Sequence, residues 1–394
     1  MASMWVVGLM SGTSADAIDA ALVEWPDGAN ARPFRLLAYQ EFPHAPALQS
    51  EIHRLAAGEL PGEAMLAELV RLDRVLADRF ADATLELLKG AGIDPARVAG
   101  IGSHGQTVAH HPEHGGTLQI GCPARLAERI GRPVVADFRR RDMAMGGEGA
   151  PLAPFFHHAV FGDPDEDRGV LNLGGIANLT YLPAGDDGGR VMAFDVGPAN
   201  SLIDGVVTLA SDGRERCDVD GVRARRGRIV EAWLAEMLGD PYLARPAPKS
   251  TGRERYGLAL AREWLERARR ERVDVDDLLA TLVEFSARAV AQAWDRLAGE
   301  GARARHGRIL VGGGGVRNHH GMAVLARVFD GLAVEPMEAA GVPADAAEAM
   351  AFSLLARNAL LGMPNQLPQC TGVAEARVLG VVHGVEWLDG RLRA

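Results

Sequence analysis

The sequence predicts an α/β protein built as two related lobes, and three observations carry that expectation. At 394 residues the chain exceeds what one ordinary compact core holds. Short apolar runs alternate along it with stretches whose apolar residues recur at helical spacing. One pattern also occurs once in each half: an apolar run, a turn rich in glycine and polar residues, then a second apolar run.

In the first half the two runs are Trp5–Met10 and Ala20–Trp25, read as adjacent strands. A long amphipathic helix follows over Met65–Leu88, with Gly90 as its stop. Val98–Ile101 and Thr117–Ile120 read as strands, Ala124–Ile130 as a helix and Pro133–Ala136 as another strand. After the glycine-rich segment Gly146–Pro151 the pattern restarts in Gly169–Leu182, and Val191–Phe194 adds a strand. Helices are expected at Ser201–Ala210, Gly227–Leu238, Leu258–Arg270 and Leu278–Leu297. Arg308–Val311 is a short strand running into four glycines, and Asp345–Leu361 is a last long helix. The halves share negligible sequence identity, so the duplication is an expectation about structure alone. The boundary is placed to give a first lobe at 1–136, with 372–394 returning to it, and a second at 137–371.

Composition narrows the partners. A net charge of -10 argues against nucleic acid, and the one basic run, Arg139–Arg141, sits between Asp137 and Asp142. No apolar stretch approaches the ~18 residues that would span a bilayer, and MASMWVVGLMSG lacks the basic start of a signal peptide. Cys122, Cys217 and Cys370 are scattered and odd in number, as expected of thiols in a reducing cytoplasm. Only two residues are lysines, Lys89 and Lys249, among 42 Lys and Arg. Neither follows a GxxxxG, so a Walker loop and a protein-kinase site are both excluded, and any ATP site must be of another kind.

Five segments are candidates for chemistry. In GLMSGTSADAID, Gly12, Thr13 and Ser14 offer N–H groups and hydroxyls that ring a phosphate without lysine, and Asp16 and Asp19 could reach magnesium or orient water. A polar hairpin turn is the plain alternative, but it needs two such residues where six are present. LNLGGIANLT and LVGGGGVRN each follow an apolar strand and let backbone approach a ligand closely; the second is not a dinucleotide fingerprint. In FDVGPAN, Asp195 ends an apolar strand and faces the crevice where α/β proteins bind ligands, with Asn200 better placed than Asp195 to cap the next helix. In SHGQTVAHHPEHGG, Pro112 breaks any helix aligning His110, His111 and His114 for a metal, so a polar substrate loop with Gln106 and Thr107 is the expected role.

Together these segments resemble the anhydro-N-acetylmuramic acid kinases, within the sugar-kinase, Hsp70 and actin superfamily. The motifs occur in register from Gly8 to about Gly380: GLMSGTSADAID, SHGQTVAHHP, ADFRRRDMAMGGEGAPLAPFFH, LNLGGIANLT, FDVGPAN, DVDGVRARRG, PKSTGRERYG, LVGGGGVRN, DAAEAMAFSLLA and LPQCTG. The chain departs from the family at Ala17, where glycine is usual and positive φ is tolerated, and at Glu148, where glutamine is common.

The resemblance implies an actin-like, ribonuclease H-like fold with ATP and sugar in a cleft between two lobes, and a homodimer. It implies ATP phosphates at Gly12, Thr13, Ser14, Ala15, Asp16, Ala17, Ile18 and Asp19, a second phosphate loop at Gly174 and Gly175, and the nucleoside at Gly312, Gly313, Gly314 and Gly315. Asp195 matches the family's base, and Glu348 is the candidate for placing magnesium. Gln106, Thr107, Arg139, Asp142 and Asn178 are the candidates for sugar contact. In a 1,6-anhydro sugar O6 carries no proton, so Asp195 is expected to activate water against C1 while O6 captures the γ-phosphoryl group. A kinase for another sugar and a non-catalytic sensor of cell-wall fragments are the alternatives.

Overall fold

The computed structural model describes residues 3–185, 188–298, 307–384, 386–388 and 391–393. They divide into a first unit, Met1–Val160 with Asp345–Ala394, and a second, Phe161–Ala344. The sequence placed these boundaries at 136/137 and 371/372; of its returning stretch 372–394, positions 385, 389, 390 and 394 lie outside the described residues.

In the first unit, strands β1 (Ser3–Ser11), β2 (Ala17–Pro26) and β3 (Arg35–Pro43) form an antiparallel meander. Helices α1 (Pro46–Ala56) and α2 (Gly62–Gly90) follow. Strand β4 (Gly100–His111) then lies parallel to β1, with β5 (Gly116–Ile120) folded back on its outer half. After α3 (Pro123–Ile130), β6 (Val134–Ala136) lies parallel to β4, and α4 (Phe138–Ala144) and α5 (Ala153–Phe161) lead out. The meander and the two parallel strands run in the order β3-β2-β1-β4-β6.

The second unit repeats this order. Strands β7 (Asp167–Leu173), β8 (Ile176–Leu182) and β9 (Met192–Pro198) form the meander. Helices α6 (Asn200–Ala210), α7 (Val222–Arg226), α8 (Glu231–Leu238), α9 (Pro241–Ala244), α10 (Arg253–Tyr256), α11 (Leu258–Glu271) and α12 (Val275–Ala298) intervene. Strand β10 (Gly307–Gly312) is parallel to β7, and β11 (Ala333–Pro336), reached through α13 (His319–Val328), is parallel to β10. The order β9-β8-β7-β10-β11 is the same meander plus two parallel strands. The fold is therefore a duplicated ribonuclease H-like sheet, and each copy begins with one hairpin.

The last long helix, α14 (Ala347–Leu360), belongs to the first unit, not the second as the boundary at 371 had it. Two faces of one sheet explain this. Strand β1 is buried on both: Val7 and Leu9 join Leu72, Leu76 and Phe80 of α2 in one core, and Gly8 faces α14. Gly8 is in register with Gly102 of β4. A Cβ on either would stand 1.8 Å from Ala349 O or 2.1 Å from Phe352 O, so these two positions let the helix backbone rest directly on the strands. Polar bonds then pin the helix: Trp25 Nε1 donates to Ser353 Oγ (2.8 Å), which donates to Val6 O (2.9 Å). The guanidinium of the fully buried Arg357 donates to the carbonyls of Pro26 and Asn30. After α15 (Pro368–Thr371), β12 (Val381–His383) closes the edge against β6.

Ser103–His111, expected as a loop, is the body of β4, where hydrogen bonds from both neighbours outweigh its low β-propensity. Strand β3 and helix α1 lay in sequence that gave no signal. No helix among the described residues is long and apolar enough to cross a membrane, and Cys122, Cys217 and Cys370 form no disulfide.

Candidate active site

In the first unit the β1–β2 hairpin turn, Gly12–Asp16, is held from three directions. Ala15 is fully buried and sits at φ 47°, a strained value for a residue with a Cβ, and its N–H closes the turn on Gly12 O at 3.1 Å. Ser14 Oγ donates to Asp16 Oδ1 at 2.7 Å. Gln49 Nε2 and His53 Nε2, both on α1, lie 2.8 Å from Ser14 O. The strain therefore falls on Ala15; Ala17 begins β2 with ordinary backbone, so its replacement of the family glycine asks for no positive φ.

Gln106 holds the same turn. Gly105, at φ 73°, makes a bulge where β1 and β4 change register, which aims Gln106 at the hairpin. The buried amide accepts from Ser11 Oγ at 2.7 Å and donates to Gly12 O at 3.0 Å. It supports the Gly12–Asp16 turn, and both ends of the amide are engaged there and at Thr107 O. Thr107 Oγ1 accepts from Gln119 Nε2 at 3.2 Å. Asp142 is fully buried and accepts from Gln366 Nε2 (2.7 Å), Thr371 Oγ1 (2.6 Å) and Gly149 N (2.8 Å), so its carboxylate ties the GGEG loop to the chain's last helix. Arg139 donates through Nε to His104 Nε2 (3.0 Å) and through Nη1 to Gly149 O (2.8 Å). His104 Nδ1 is 2.9 Å from Gly105 O and must carry the ring's proton. Burial, with Arg139 beside it, pushes this histidine down to about 3, and it stays neutral.

Carboxylates gather at the start of β2. Asp19 is pushed up to about 6, first by burial and then by Glu41, Glu348 and Asp16, against a 2.7 Å hydrogen bond from Tyr39. Glu348, in the first turn of α14, reaches solvent, yet the surrounding protein raises its carboxyl and Arg139 only partly opposes this. Among the described residues no three His, Cys, Asp or Glu stand close enough to enclose a metal alone. The donor set fits a cation held by one or two carboxylates with water and phosphate oxygens completing the shell, the usual way magnesium is bound. The raised Asp19 gives a signed test. Its folded-state proton affinity exceeds the unfolded one, so its contribution to stability is full below about 4 and is lost as pH rises through about 6. Asp19→Asn should raise the melting temperature at pH 7.5 by about 2–4 °C, for ~1 kcal/mol after solvent screening, and by nothing near pH 4. Thermal scans across pH check this; a difference independent of pH would refute it.

In the second unit Asp195 lies within β9, and the strand continues to Pro198, past the point where the sequence ended it. A register shift between Ala177 and Asn178 leaves Val196 as an extra residue and sets Asp195 opposite Asn178. One carboxylate oxygen accepts from Asn178 Nδ2 at 3.0 Å, the other from Ser250 Oγ at 3.1 Å and Thr251 N at 3.0 Å. The Asp195 N–H donates to Lys249 O, and Tyr242 Oη donates to Asp195 O at 2.8 Å. Asn178 thus orients the Asp195 carboxylate and Ser250 and Thr251 complete its cradle; sequence reasoning had quoted PKSTGRERYG without assigning it this work.

Lys249 anchors that segment. Its Nζ donates to the carbonyls of Tyr242 (3.1 Å) and Leu243 (3.0 Å), and burial, with Arg296 and Arg245 near, pushes it down to about 8. Replacing Lys89 and Lys249 together with methionine should leave ATP affinity within about threefold, a shift below ~1 kcal/mol. Lys249→Met alone should lower kcat, because it loosens the segment beside Asp195. Calorimetric titration with ATP decides; a hundredfold loss of affinity would place the phosphates elsewhere.

The β7–β8 hairpin turns on Gly174 and Gly175, whose carbonyls accept from the N–H groups of Asn200 (3.1 Å) and Ser201 (3.0 Å) at the start of α6. Asn200 does not cap that helix, as the sequence had it; its amide donates to Leu173 O at 3.0 Å. After β10, Gly313 (φ 77°) and Gly315 pack against the end of β7, where a Cβ would meet Asn172 Oδ1 at 2.3 Å and Leu173 Cβ at 2.5 Å. Gly312 backs onto Met337, and Gly314 meets nothing within 4 Å. Beside Gly315 lies a recess lined by Leu173, Asn200, Ile203, Ala287 and Leu325.

Known proteins resemble this chain over nearly all of its length. Residues 4–384 match the family model described as anhydro-N-acetylmuramic acid kinase. A protein of that name from Xanthomonas campestris pv. campestris (strain 8004) is 43% identical over 379 residues, 96% of each chain. One from Gloeobacter violaceus is 42% identical over 385 residues, 96% of this chain and 98% of that one. A solved ROK hexokinase from Thermus thermophilus aligns over 90% of this chain and 99% of its own at TM-score 0.39 and 16% identity; the fold assignment rests on the sheet order instead.

Proposed function

Because this chain belongs to the anhydro-N-acetylmuramic acid kinase family, we propose that it phosphorylates O6 of 1,6-anhydro-N-acetylmuramic acid with ATP while water opens the anhydro bridge. The observation that supports this mechanism is Asp195, a carboxylate cradled by three donors and still half-exposed. A sensor of cell-wall fragments would need neither that cradle nor the clamped turn at Gly12–Asp16.

The reaction balances with this chain's own groups. Asp195 takes a proton from water as the oxygen bonds to C1. The C1–O6 bond breaks, and its electron pair forms the bond from O6 to the γ-phosphorus. The bond from that phosphorus to the ADP oxygen breaks in turn, leaving ADP and N-acetylmuramic acid 6-phosphate, a product suited to cell-wall recycling. The Gly12–Asp16 turn, held by Gln49, His53 and Gln106, would bind ATP phosphates, and Asp19 and Glu348 would hold magnesium. Magnesium, when bound, offsets phosphate charge. We place the enzyme in the cytoplasm, where ATP is available and cysteines without a disulfide are the rule, and as the homodimer that the resemblance implies.

The test is isotopic. In ¹⁸O-labelled water the label should enter the anomeric hydroxyl and stay out of the phosphate, and the first-formed product should be the α-anomer by NMR. Label in the phosphate would mean ATP hydrolysis and would leave the ring-opening step without support. An unlabelled anomeric oxygen in a phosphorylated product would mean an ordinary hydroxyl kinase.

A further inference from the structure

The phosphate turns contain no cation, and neither lysine makes good the lack: Lys89 ends α2, and Lys249 is bonded to two carbonyls. One guanidinium stands where such a cation would be needed. Arg253, the first residue of α10, lies over the Gly174–Gly175 turn, with Nε and Nη2 at 3.4 and 3.6 Å from the position of a Gly175 Cβ. It is exposed and makes no hydrogen bond or ion pair among the described residues, whereas Arg255, two residues on, pairs with Asp240.

Two neighbours give this placement chemical content. Asp204, one turn into α6, is half-buried without a hydrogen-bond partner among the described residues; burial pushes its carboxyl up to about 6, and Arg253 is the charge that opposes this. The segment that ends in Arg253 is also the one that cradles Asp195, through Ser250 and Thr251. The base and the free guanidinium are therefore set by one short stretch of chain. A planar fork of donors beside a half-buried glycine turn suits a tetrahedral oxyanion.

We propose that Arg253 binds the γ-phosphoryl group of ATP at the Gly174–Gly175 turn and stabilises its charge during transfer, the part a lysine plays in Walker loops. This rests on the kinase reading given above. It also explains how a chain with two lysines, neither of them in a glycine turn, meets a tetra-anionic nucleotide. The lactyl carboxylate of the sugar is the other oxyanion within the same chemistry, and the measurements below separate the two.

Arg253→Ala should lower kcat at least ~100-fold, in the range of other lost phosphoryl-binding arginines, with the KM for sugar within about threefold. In calorimetry it should weaken ATP about tenfold and ADP not at all. Guanidinium chloride at tens of millimolar should raise the rate of Arg253→Ala and not that of the unsubstituted protein. If Arg253→Ala melts more than a few degrees early, Arg253→Gln and Arg253→Lys carry the same comparisons. Equal losses for ATP and ADP, or no rescue by guanidinium, would overturn the assignment as a merely structural effect. A raised KM for sugar with unchanged ATP affinity would overturn it in favour of the sugar carboxylate. Should the unsubstituted protein fail to phosphorylate the anhydro sugar, the substrate reading falls, and the comparison of ATP with ADP still decides the role of Arg253.

Discussion

Asp195→Asn is expected to turn over at least ~100-fold more slowly while ATP affinity shifts less than about threefold. Asparagine keeps the length and nearly the shape of the side chain but cannot take a proton from water. One oxygen can still accept from Asn178, or the pair Ser250 and Thr251 can keep its acceptor, but not both. The loss therefore joins a missing base to a misfit cradle, and Asn178→Asp in the same background would report on the second part. Rapid-quench measurement of sugar phosphate, beside calorimetry with ATP, reads the two quantities separately. Near-normal turnover by Asp195→Asn would move the base elsewhere, with Asp16 and Asp19 the first places to look.

The second large effect is structural. Gly8→Ala or Gly102→Ala should destabilise the first unit by more than ~3 kcal/mol, beyond ordinary overpacking, because the new methyl meets main-chain oxygen and not a side chain that can turn away. The helix must lift, and the bonds from Trp25 through Ser353 to Val6 and from Arg357 to Pro26 must go with it. Gly90→Ala, with open space around its Cβ at the end of α2, is the matched control and should be neutral. Urea unfolding of the three variants checks this. Stabilities within 1 kcal/mol of one another would show that α14 does not rest on the strands as closely as described.

Much of this was legible in the sequence, for physical reasons. Helix α2 shows as a long 3.6-residue period, and both glycine hairpins lie between apolar runs that only a sheet accommodates. Asp195 stood out as a carboxylate in an apolar strand. What stayed hidden depends on contacts between distant residues. Gln106 and Asp142 read as polar residues free for a sugar, because nothing local reveals that Ser11, or Gln366 and Thr371, take up their hydrogen bonds. The placing of α14 turns on two glycines in register on different strands, and Gly8 and Gly102 are 94 positions apart. The duplicated sheet order leaves no trace in residue identity, since strand order is fixed by pairing and not by any particular side chain.

The division of the chain also bears on how it is made. The second unit is one continuous stretch, 161–344, and all of its strands and helices leave the ribosome together. The first unit is interrupted: its five principal strands are complete by Ala136, yet one face of its sheet is covered only by a helix that begins at Ala347. At ~5–20 residues per second, that face waits on the order of 10–40 s, with Gly8 and Gly102 offering bare backbone and little side chain. The later-synthesised unit is thus positioned to finish folding before the earlier one, and a chaperone acting during synthesis would find its work at the uncovered face of β1 and β4.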